Sequence, residues 1–240
     1  MNRPTGFIIY QGPSELDGAP IVAIALTGKS TNKKTGAMVQ TYIMRADVAP
    51  LDALASGDDA SVCGDCKHRP ILGGACYVNV AHGPRSVYAA YARGRYPVAG
   101  DVAALGAGRA VRLGTYGDPA AVPVAVWQAL TSGAALRTGY THQWRHGDAL
   151  QGLCMASADS ADERQDATAR GWRTFRVMLA GESLARGEFA CPASEEAGRK
   201  TTCEKCGACS GASRGTRQAS VAIVAHGAKK GRFATVRARA

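Results

Sequence analysis

The amino-acid sequence predicts an α/β fold: a small or incomplete parallel (β/α) barrel-like domain, preceded by a β-hairpin and carrying cysteine-rich metal-binding loops. Two observations favour this fold. Short β-branched runs alternate with helical segments through the middle of the chain, a pattern typical of parallel βαβ units with right-handed crossovers. The chain also has 240 residues, 46% of them hydrophobic, which is enough for one large core. We therefore expect a single domain over residues 1–240.

The first 60 residues are predicted to form strands and a hairpin. Three short apolar runs bounded by Gly and Pro predict strands over residues 7–10, 21–26 and 41–44. Between the last two, Gly28-Lys29-Ser30 is similar to the end of a phosphate-binding loop. The glycine that such a loop needs five residues before Gly28 is Ala23 here. We therefore interpret residues 30–36 as a polar hairpin turn.

The rest of the chain is predicted to alternate between helices and strands. Apolar periodicity and breaker residues predict helices over 48–56, 86–95, 101–107, 121–130 and 162–170. β-Branched and apolar runs predict strands over 110–114, 138–141, 153–156, 174–179 and 221–224. In this scheme residues 61–190 are the β/α core, 191–226 a metal-binding loop with the last strand, and 227–240 a basic tail.

The most specific motif is a late group of cysteines. Cys203, Cys206 and Cys209 have the spacing CxxCxxC, and a Cys-Pro pair places Cys191 shortly before them. Thiolates at this spacing on a tight turn can reach one metal, and four sulfurs suit tetrahedral zinc or an iron–sulfur cluster. We predict that these four cysteines hold such a metal or cluster. His226, past the next strand, is an alternative to Cys191 as the fourth ligand.

An earlier group of cysteines predicts a second metal or cluster. Cys63 and Cys66 form a CxxC pair, and nine residues separate Cys66 from Cys76. Three residues are candidates for a fourth ligand: Cys154, His68 and His82. A fourth position left open would instead be free for a substrate, as in catalytic zinc sites. The alternative interpretation is a redox pair or buried thiols, and a lone cysteine in an apolar strand, as Cys154 is, is commonly a small core residue.

Polar residues follow three of the predicted strands. They are Asp118, His142 and Asp159. Because the carboxyl ends of parallel strands carry the chemistry in α/β folds, we predict that these side chains act as catalytic acids, bases or ligands. The neighbouring Tyr140 and Thr141 are predicted to contact a cofactor. The alternative is turn chemistry, with Asp118 in an Asp-Pro turn and Asp159 as a helix cap.

Charge and hydropathy indicate the partners and the location. The net charge of +10 and the pI of about 9.4 favour a polyanionic partner, a nucleic acid or a nucleotide. The basic tail is expected to be a solvated arm that can lie along phosphates. No apolar run approaches the roughly 18–20 residues of a membrane helix, and residues 1–6 lack a signal-peptide pattern. We therefore expect a cytoplasmic protein with reduced thiols and no membrane partner.

The order of motifs over residues 60–230 resembles a group of cysteine-rich proteins encoded by phages and plasmids. That group has an early CxxC followed by Cys-Tyr, a strand ending in Gly-Asp, a Tyr-Thr pair, and Cys-Pro before CxxCxxC. Here these are Cys63, Cys66 and Cys76-Tyr77, Gly117-Asp118, Tyr140-Thr141, Cys191-Pro192, and Cys203, Cys206 and Cys209. The resemblance implies a phage-type protein in the cytoplasm of a bacterial host, and it brings no established activity.

Parts of the chain are also similar to two better-known families. Radical enzymes that use S-adenosylmethionine are partial barrels with a three-cysteine cluster, usually spaced CxxxCxxC. The early group of this chain resembles that cluster in having three cysteines. Guanine transglycosylases are barrels with catalytic aspartates and a late zinc site of three cysteines, usually spaced CxCxxC, and one histidine. The residues similar to that zinc site are Cys203, Cys206, Cys209 and His226. Both resemblances imply a TIM-barrel-like fold with a metal site.

Three functions remain open at this point. The polar strand ends, the two cysteine groups and the basic charge favour a metalloenzyme that modifies a nucleic acid or nucleotide. A non-catalytic nucleic-acid-binding protein with structural zinc sites is the first alternative. A phage factor that binds a host protein is the second.

Overall fold

The computed structural model describes residues 4–28, 30, 32–194, 196–198, 201–212, 219–227 and 229–238. The strands are β1 (Gly6–Pro13), β2 (Pro20–Leu26), β3 (Val39–Arg45), β4 (Ala110–Tyr116), β5 (Leu136–Thr141), β6 (Met155–Ala158), β7 (Thr174–Met178), β8 (Glu188–Ala190) and β9 (Ser220–Val224). The helices are α1 (Pro50–Ser56), α2 (Ala60–Cys63), α3 (Gly83–Ala92), α4 (Val102–Gly106), α5 (Val124–Thr131), α6 (Ala161–Ala169), α7 (Cys203–Cys206) and α8 (Lys230–Arg237). Among the described residues, no helix combines the length and the apolar character needed to cross a membrane.

All nine strands belong to one sheet in the order β1-β2-β3-β4-β5-β6-β7-β9-β8. The first three are antiparallel neighbours, as the predicted hairpin requires. Thr31 of its turn, and Lys29 just before the turn, lie outside the described residues. Every later pairing is parallel. Over the described ranges β1 and β8 are the two edges and do not pair, so the sheet is open. The predicted α/β class with a mostly parallel sheet is confirmed.

The two faces of the sheet have different characters. On β4, Val111 and Leu113 pack into the main core together with Trp127 and Leu130 of α5. Arg112, between them, lines a cavity on the other face. Because successive side chains of a strand point to opposite faces, this alternation separates the main core on one face from the cavity on the other.

Two element boundaries differ from the predictions for local reasons. Helix α5 begins at Val124 and not at 121, because Pro119–Ala121 form a 3₁₀ turn capped by the Asp118 side chain. Strand β6 begins two residues later than predicted. The N–H groups of Leu153 and Cys154 both donate to the Leu150 carbonyl at 2.8 Å, so these two residues close a turn.

The predicted basic tail is not an extended arm over residues 230–237, which form α8. Phe233 and Val236, three positions apart, are buried on one side of this helix. The Phe233 ring stacks on His68 with the ring centroids 5.5 Å apart. The tail therefore packs against the cavity region through Phe233, which lines the cavity. Residues 228, 239 and 240 of the tail lie outside the described part of the chain.

Candidate functional site

A cavity of about 520 Å³ lies on the face of the sheet opposite the main core. Side chains of the parallel strands line it, together with the loops at their carboxyl ends. Seven of the eight cysteines are part of this lining: Cys63, Cys66, Cys76, Cys191, Cys203, Cys206 and Cys209. Cys154 instead packs in the main core on the other face. The structure thus brings both predicted cysteine groups, but not Cys154, to one cavity.

The early cysteine group is held by a tight loop after α2. Cys63 ends the helix, and the Cys66 N–H donates to the Cys63 carbonyl at 3.3 Å. The Cys76 N–H donates to the His68 carbonyl at 3.0 Å, which ties the third cysteine to the same loop. Burial raises the pKa of the Cys63 and Cys76 thiols, and the nearby Cys66 also raises both. These thiols therefore hold their protons at neutral pH, and they would have to release them to bind a metal.

The late cysteine group is brought together by β8 and α7. Cys191 directly follows β8, and its N–H donates to a carbonyl of β9 at 2.8 Å. Cys203 and Cys206 are the first and last residues of α7, and Gly207 ends the helix with φ +61°. Glycine adopts this left-handed backbone without strain, which turns the chain towards Cys209. Burial raises the pKa of the Cys209 thiol to about 12, and the other thiols of the group also raise it.

The spacing of the sulfurs distinguishes between kinds of metal centre. All eight cysteines are free thiols. Among the described residues, no three cysteine sulfurs all lie within 4.8 Å of one another. Four sulfurs around one zinc ion, each at about 2.3 Å, would be about 3.8 Å apart. A single zinc ion would therefore require the thiolates to move inwards, whereas a cluster of several metal ions takes more widely spaced ligands. Metal binding by either cysteine group, and the identity of the metal, stay predictions.

Two histidines and a carboxylate form a buried group in the same cavity. Ligand atoms of His68, His142 and Asp159 all lie within 4.8 Å of one another, and no other such trio of metal-ligand side chains occurs in the described part of the chain. His68 Nε2 lies 2.7 Å from Asp159 Oδ2, and Lys67 Nζ lies 3.2 Å from the same oxygen. Such a trio can bind a metal or transfer protons.

The electrostatics of this trio favour a charged His142. Burial lowers the pKa of His142, but the neighbouring Cys66, Asp159 and Asp118 outweigh it and raise the pKa to about 10. Burial opposes ionisation of Asp159, but the hydrogen bond from His68 and the nearby positive charges hold its pKa well below the usual range. These shifts favour an imidazolium beside a carboxylate at neutral pH, and a charged imidazole can donate a proton.

Asp118 connects the ends of two strands. Its carboxylate accepts hydrogen bonds from the Thr141 hydroxyl and the His142 N–H, both at 2.7 Å, and from the Ala120 N–H at 3.0 Å. Its own N–H donates to the Val62 carbonyl of α2 at 2.6 Å. Burial raises the pKa of Asp118, although these hydrogen bonds oppose the rise. Asp118 lines the cavity, and its contacts also make it the residue that positions His142 against the early cysteine loop.

We expect Asp118→Asn to lower the free energy of unfolding by about 2–3 kcal/mol, because hydrogen bonds to a buried charged group are lost and one donor loses its acceptor. Urea denaturation measures the change. Asp148→Asn, on the exposed turn after β5, is the matched control and should change stability by less than about 0.5 kcal/mol. Equal stability of the two variants would show that Asp118 is not a structural residue.

The predicted cofactor contacts lie on opposite sides of β5. Tyr140 lines the cavity, its ring centroid lies 4.6 Å from that of Phe175, and its hydroxyl acts to lower the pKa of the neighbouring Cys209 thiol. Thr141 binds Asp118 behind the strand. Only Tyr140 is therefore placed to touch a molecule in the cavity, and Thr141 positions Asp118.

Sequence reasoning found His142 and Asp159 but considered His68 only as a ligand of the early cysteines. It also missed Arg112, which lines the cavity from the middle of β4. An arginine inside an apolar strand was the available sign, since a charged side chain there must have a buried partner. The fold and the site together define an α/β protein with a cysteine- and histidine-lined cavity at the carboxyl ends of a parallel sheet. Comparison with protein-family models, curated proteins and solved structures finds no match to this chain.

Proposed function

We propose that this chain is a metalloenzyme that modifies a nucleic acid or nucleotide inside the cysteine-lined cavity. The observation that supports this most strongly is that both cysteine groups and the His68–His142–Asp159 trio line the same cavity. Structural zinc sites are closed by four protein ligands and need no cavity. Convergence of potential ligands and acid–base groups on one concave site is instead typical of an active site.

The donor set fits metal ions that prefer thiolates. In the proposal, Cys191, Cys203, Cys206 and Cys209 hold zinc or an iron–sulfur cluster, and Cys63, Cys66 and Cys76 hold a second metal or cluster. Zinc would supply Lewis-acid chemistry and an iron–sulfur cluster would supply electron transfer. The protein's own groups would then move protons, with His142 as the donor and with Cys66, Asp159 and Asp118 as the groups that raise its pKa.

The charge distribution supports an anionic substrate. The net charge is +10, and three basic side chains line the cavity: Lys34, Arg112 and Lys230. The chain order of the parallel strands β3 to β7 supports the finer fold assignment, an incomplete (β/α) barrel with its active site at the carboxyl ends of the strands. The resemblance to phage- and plasmid-borne proteins supports a role in the cytoplasm of a bacterial host.

Anaerobic purification with quantification of metal and acid-labile sulfide tests the proposal. We expect bound metal in the wild-type protein, with iron and sulfide in equal amounts if the centres are clusters. Replacing Cys203 and Cys206 with serine should remove the metal of the late site and leave that of the early site. Replacing Cys63 and Cys66 should have the converse effect.

Cys154→Ala is the matched control, because Cys154 is buried on the opposite face of the sheet and should keep the full metal content. A wild-type protein that stays metal-free after anaerobic purification and reconstitution would refute the metal sites. Zinc alone, with nucleic-acid binding but no turnover, would favour the non-catalytic alternative with structural zinc. Capture of a host protein without metal or nucleic acid would favour the second alternative, a phage factor that binds a host protein.

A further inference from the structure

Two buried polar side chains lie next to each other on the cavity face of the sheet. Arg112 of β4 and Thr138 of β5 are register partners on adjacent parallel strands. Both line the cavity. Arg112 is 9% exposed and Thr138 is 1% exposed. The register of the two strands therefore places a guanidinium beside a hydroxyl.

Both side chains have polar atoms without a partner. Arg112 Nε and Thr138 Oγ1 are buried and make no hydrogen bond within the described residues. Arg112 Nη2 donates to the Tyr77 hydroxyl at 3.3 Å, and the guanidinium lies 5.5 Å from the centre of the Tyr140 ring. Buried polar groups of native proteins are almost always satisfied. Both exceptions belong to neighbouring side chains that line one cavity, and we take them as the sign of an absent hydrogen-bonding partner.

The charge of Arg112 indicates the sign of that partner. Throughout the described ranges, no acidic side chain lies within 4.0 Å of the guanidinium. The carboxylates that line the cavity, Asp118 and Asp159, are bound by other donors. The Cys203 and Cys209 thiols act on the charge of Arg112, but burial raises the pKa of both thiols, so in the metal-free protein they hold their protons at neutral pH. A buried cation without a counter-charge is costly, so the missing partner is an anion.

We infer that Arg112 and Thr138 bind a phosphate group of the substrate, with the nucleoside part held against the apolar side of the cavity. The inference rests on the proposed function and specifies its substrate. A guanidinium presents several N–H donors in one plane and matches the oxygens of a phosphate, and Thr138 adds a hydroxyl donor beside it. The cavity of about 520 Å³ lies in the range of small-ligand sites. Tyr140 and Phe175, which line it, offer aromatic faces on which a base can stack.

Equilibrium dialysis with the purified metal-containing protein tests the inference. The probes are the four nucleoside 5′-monophosphates, the four matching nucleosides, inorganic phosphate and acetate. We expect at least one nucleotide to bind about a hundredfold more tightly than its nucleoside. Arg112→Gln should abolish this preference, Arg112→Lys should recover part of it, and Thr138→Val should reduce it about tenfold. Arg93→Gln, an exposed position just after α3, is the control and should change nothing.

Metal content and thermal unfolding of the same samples separate the possible failures. Equal binding of nucleotide and nucleoside by the wild-type protein, or a preference that survives Arg112→Gln, overturns the inference and leaves the metal sites standing. The inference is also overturned if acetate and inorganic phosphate both bind tightly and the nucleoside part of a nucleotide adds no affinity. If Arg112→Gln and Arg112→Lys fold but lose the late metal, Arg112 is a counter-charge for the thiolates and not a phosphate ligand. If the wild type holds no metal yet shows the preference, the phosphate site stands and the metalloenzyme proposal fails.

Discussion

Replacing Glu188 with glutamine is expected to lower the free energy of unfolding by about 3–5 kcal/mol, because two arginines lose their buried counter-charge. Arg176 binds this carboxylate twice, from Nε to Oε1 at 2.9 Å and from Nη2 to Oε2 at 2.7 Å. Arg164 Nε lies 3.1 Å from Oε1. The side chain of Glu188 is 0% exposed and that of Arg176 is 3% exposed, so water cannot replace the lost charge. Chemical denaturation at neutral pH measures the effect.

Asp166→Asn is the matched control for Glu188→Gln. Asp166 also pairs with an arginine, Arg170, at 2.8 Å, but the two side chains are 40% and 50% exposed. Exposed pairs of this kind contribute little, so the control should lose less than about 1 kcal/mol. Equal losses in the two variants would show that burial does not determine the strength of these pairs.

The effect of Glu188→Gln should also depend on pH. Burial opposes ionisation of Glu188, but the hydrogen bonds from Arg176 and the Ala185 N–H hold its pKa below the ordinary value of 4.5. A carboxyl group whose pKa is depressed by folding contributes stability above its unfolded pKa and loses it as the pH falls through the folded value. The gap in stability between wild type and variant should therefore be complete at pH 7 and shrink below pH 4.5. A gap that stays constant down to pH 2 would contradict the charge-based explanation.

The second large effect is expected from Gly117→Ala. Gly117 has φ +80°, and an added Cβ would lie 2.7 Å from Ile43 Cβ and 2.8 Å from the Ile43 carbonyl oxygen. The left-handed backbone costs an L-residue about 1–2 kcal/mol, and crowding in a packed region costs about 1–3 kcal/mol more. We therefore expect a loss of about 2–5 kcal/mol. Because Asp118 follows directly, the shift should also disturb the hydrogen bond from its N–H to the Val62 carbonyl.

Gly94→Ala separates the two causes. Gly94 has φ +65°, but nothing lies within 4 Å of an added Cβ there. This variant should lose only the conformational part, about 1–2 kcal/mol. The difference between the two alanine variants measures the crowding around Gly117. Equal losses at the two positions would mean that the chain around Gly117 relaxes and that the strand end is not tightly packed.

The cysteine groups show how much local spacing can predict. CxxC places Cys63 and Cys66 on one turn, and CxxCxxC places Cys203, Cys206 and Cys209 on another, so these members follow from local spacing. Cys76 and Cys191 reach the two groups from separate segments. The relation between the groups does not follow from local spacing, because it depends on loops that reach the same cavity from distant parts of the chain. The contact between His68 and Asp159 was also not predictable from local spacing, since it joins positions 91 residues apart. No periodicity marks His68 as the partner of a residue after β6.

Asp118 illustrates a site residue whose position was predictable and whose contacts were not. Its place after β4 predicted a functional strand end, and the following proline predicted a turn. In the structure the Asp118 side chain caps a turn, accepts a hydrogen bond from Thr141 and lines the cavity. The tail shows the opposite case, because its basic composition concealed the two apolar residues that fold it as α8.

Apolar alternation, turn residues and cysteine spacing act over a few neighbouring positions. The α/β class, the antiparallel entry into the sheet and the composition of each cysteine group were therefore accessible from the order of amino acids. The shared cavity, the adjacency of Arg112 and Thr138, and the surroundings of His142 depend on strand register and on loops that cross the sheet. These contacts form only when the whole sheet assembles, because each joins residues whose local sequences carry no information about one another.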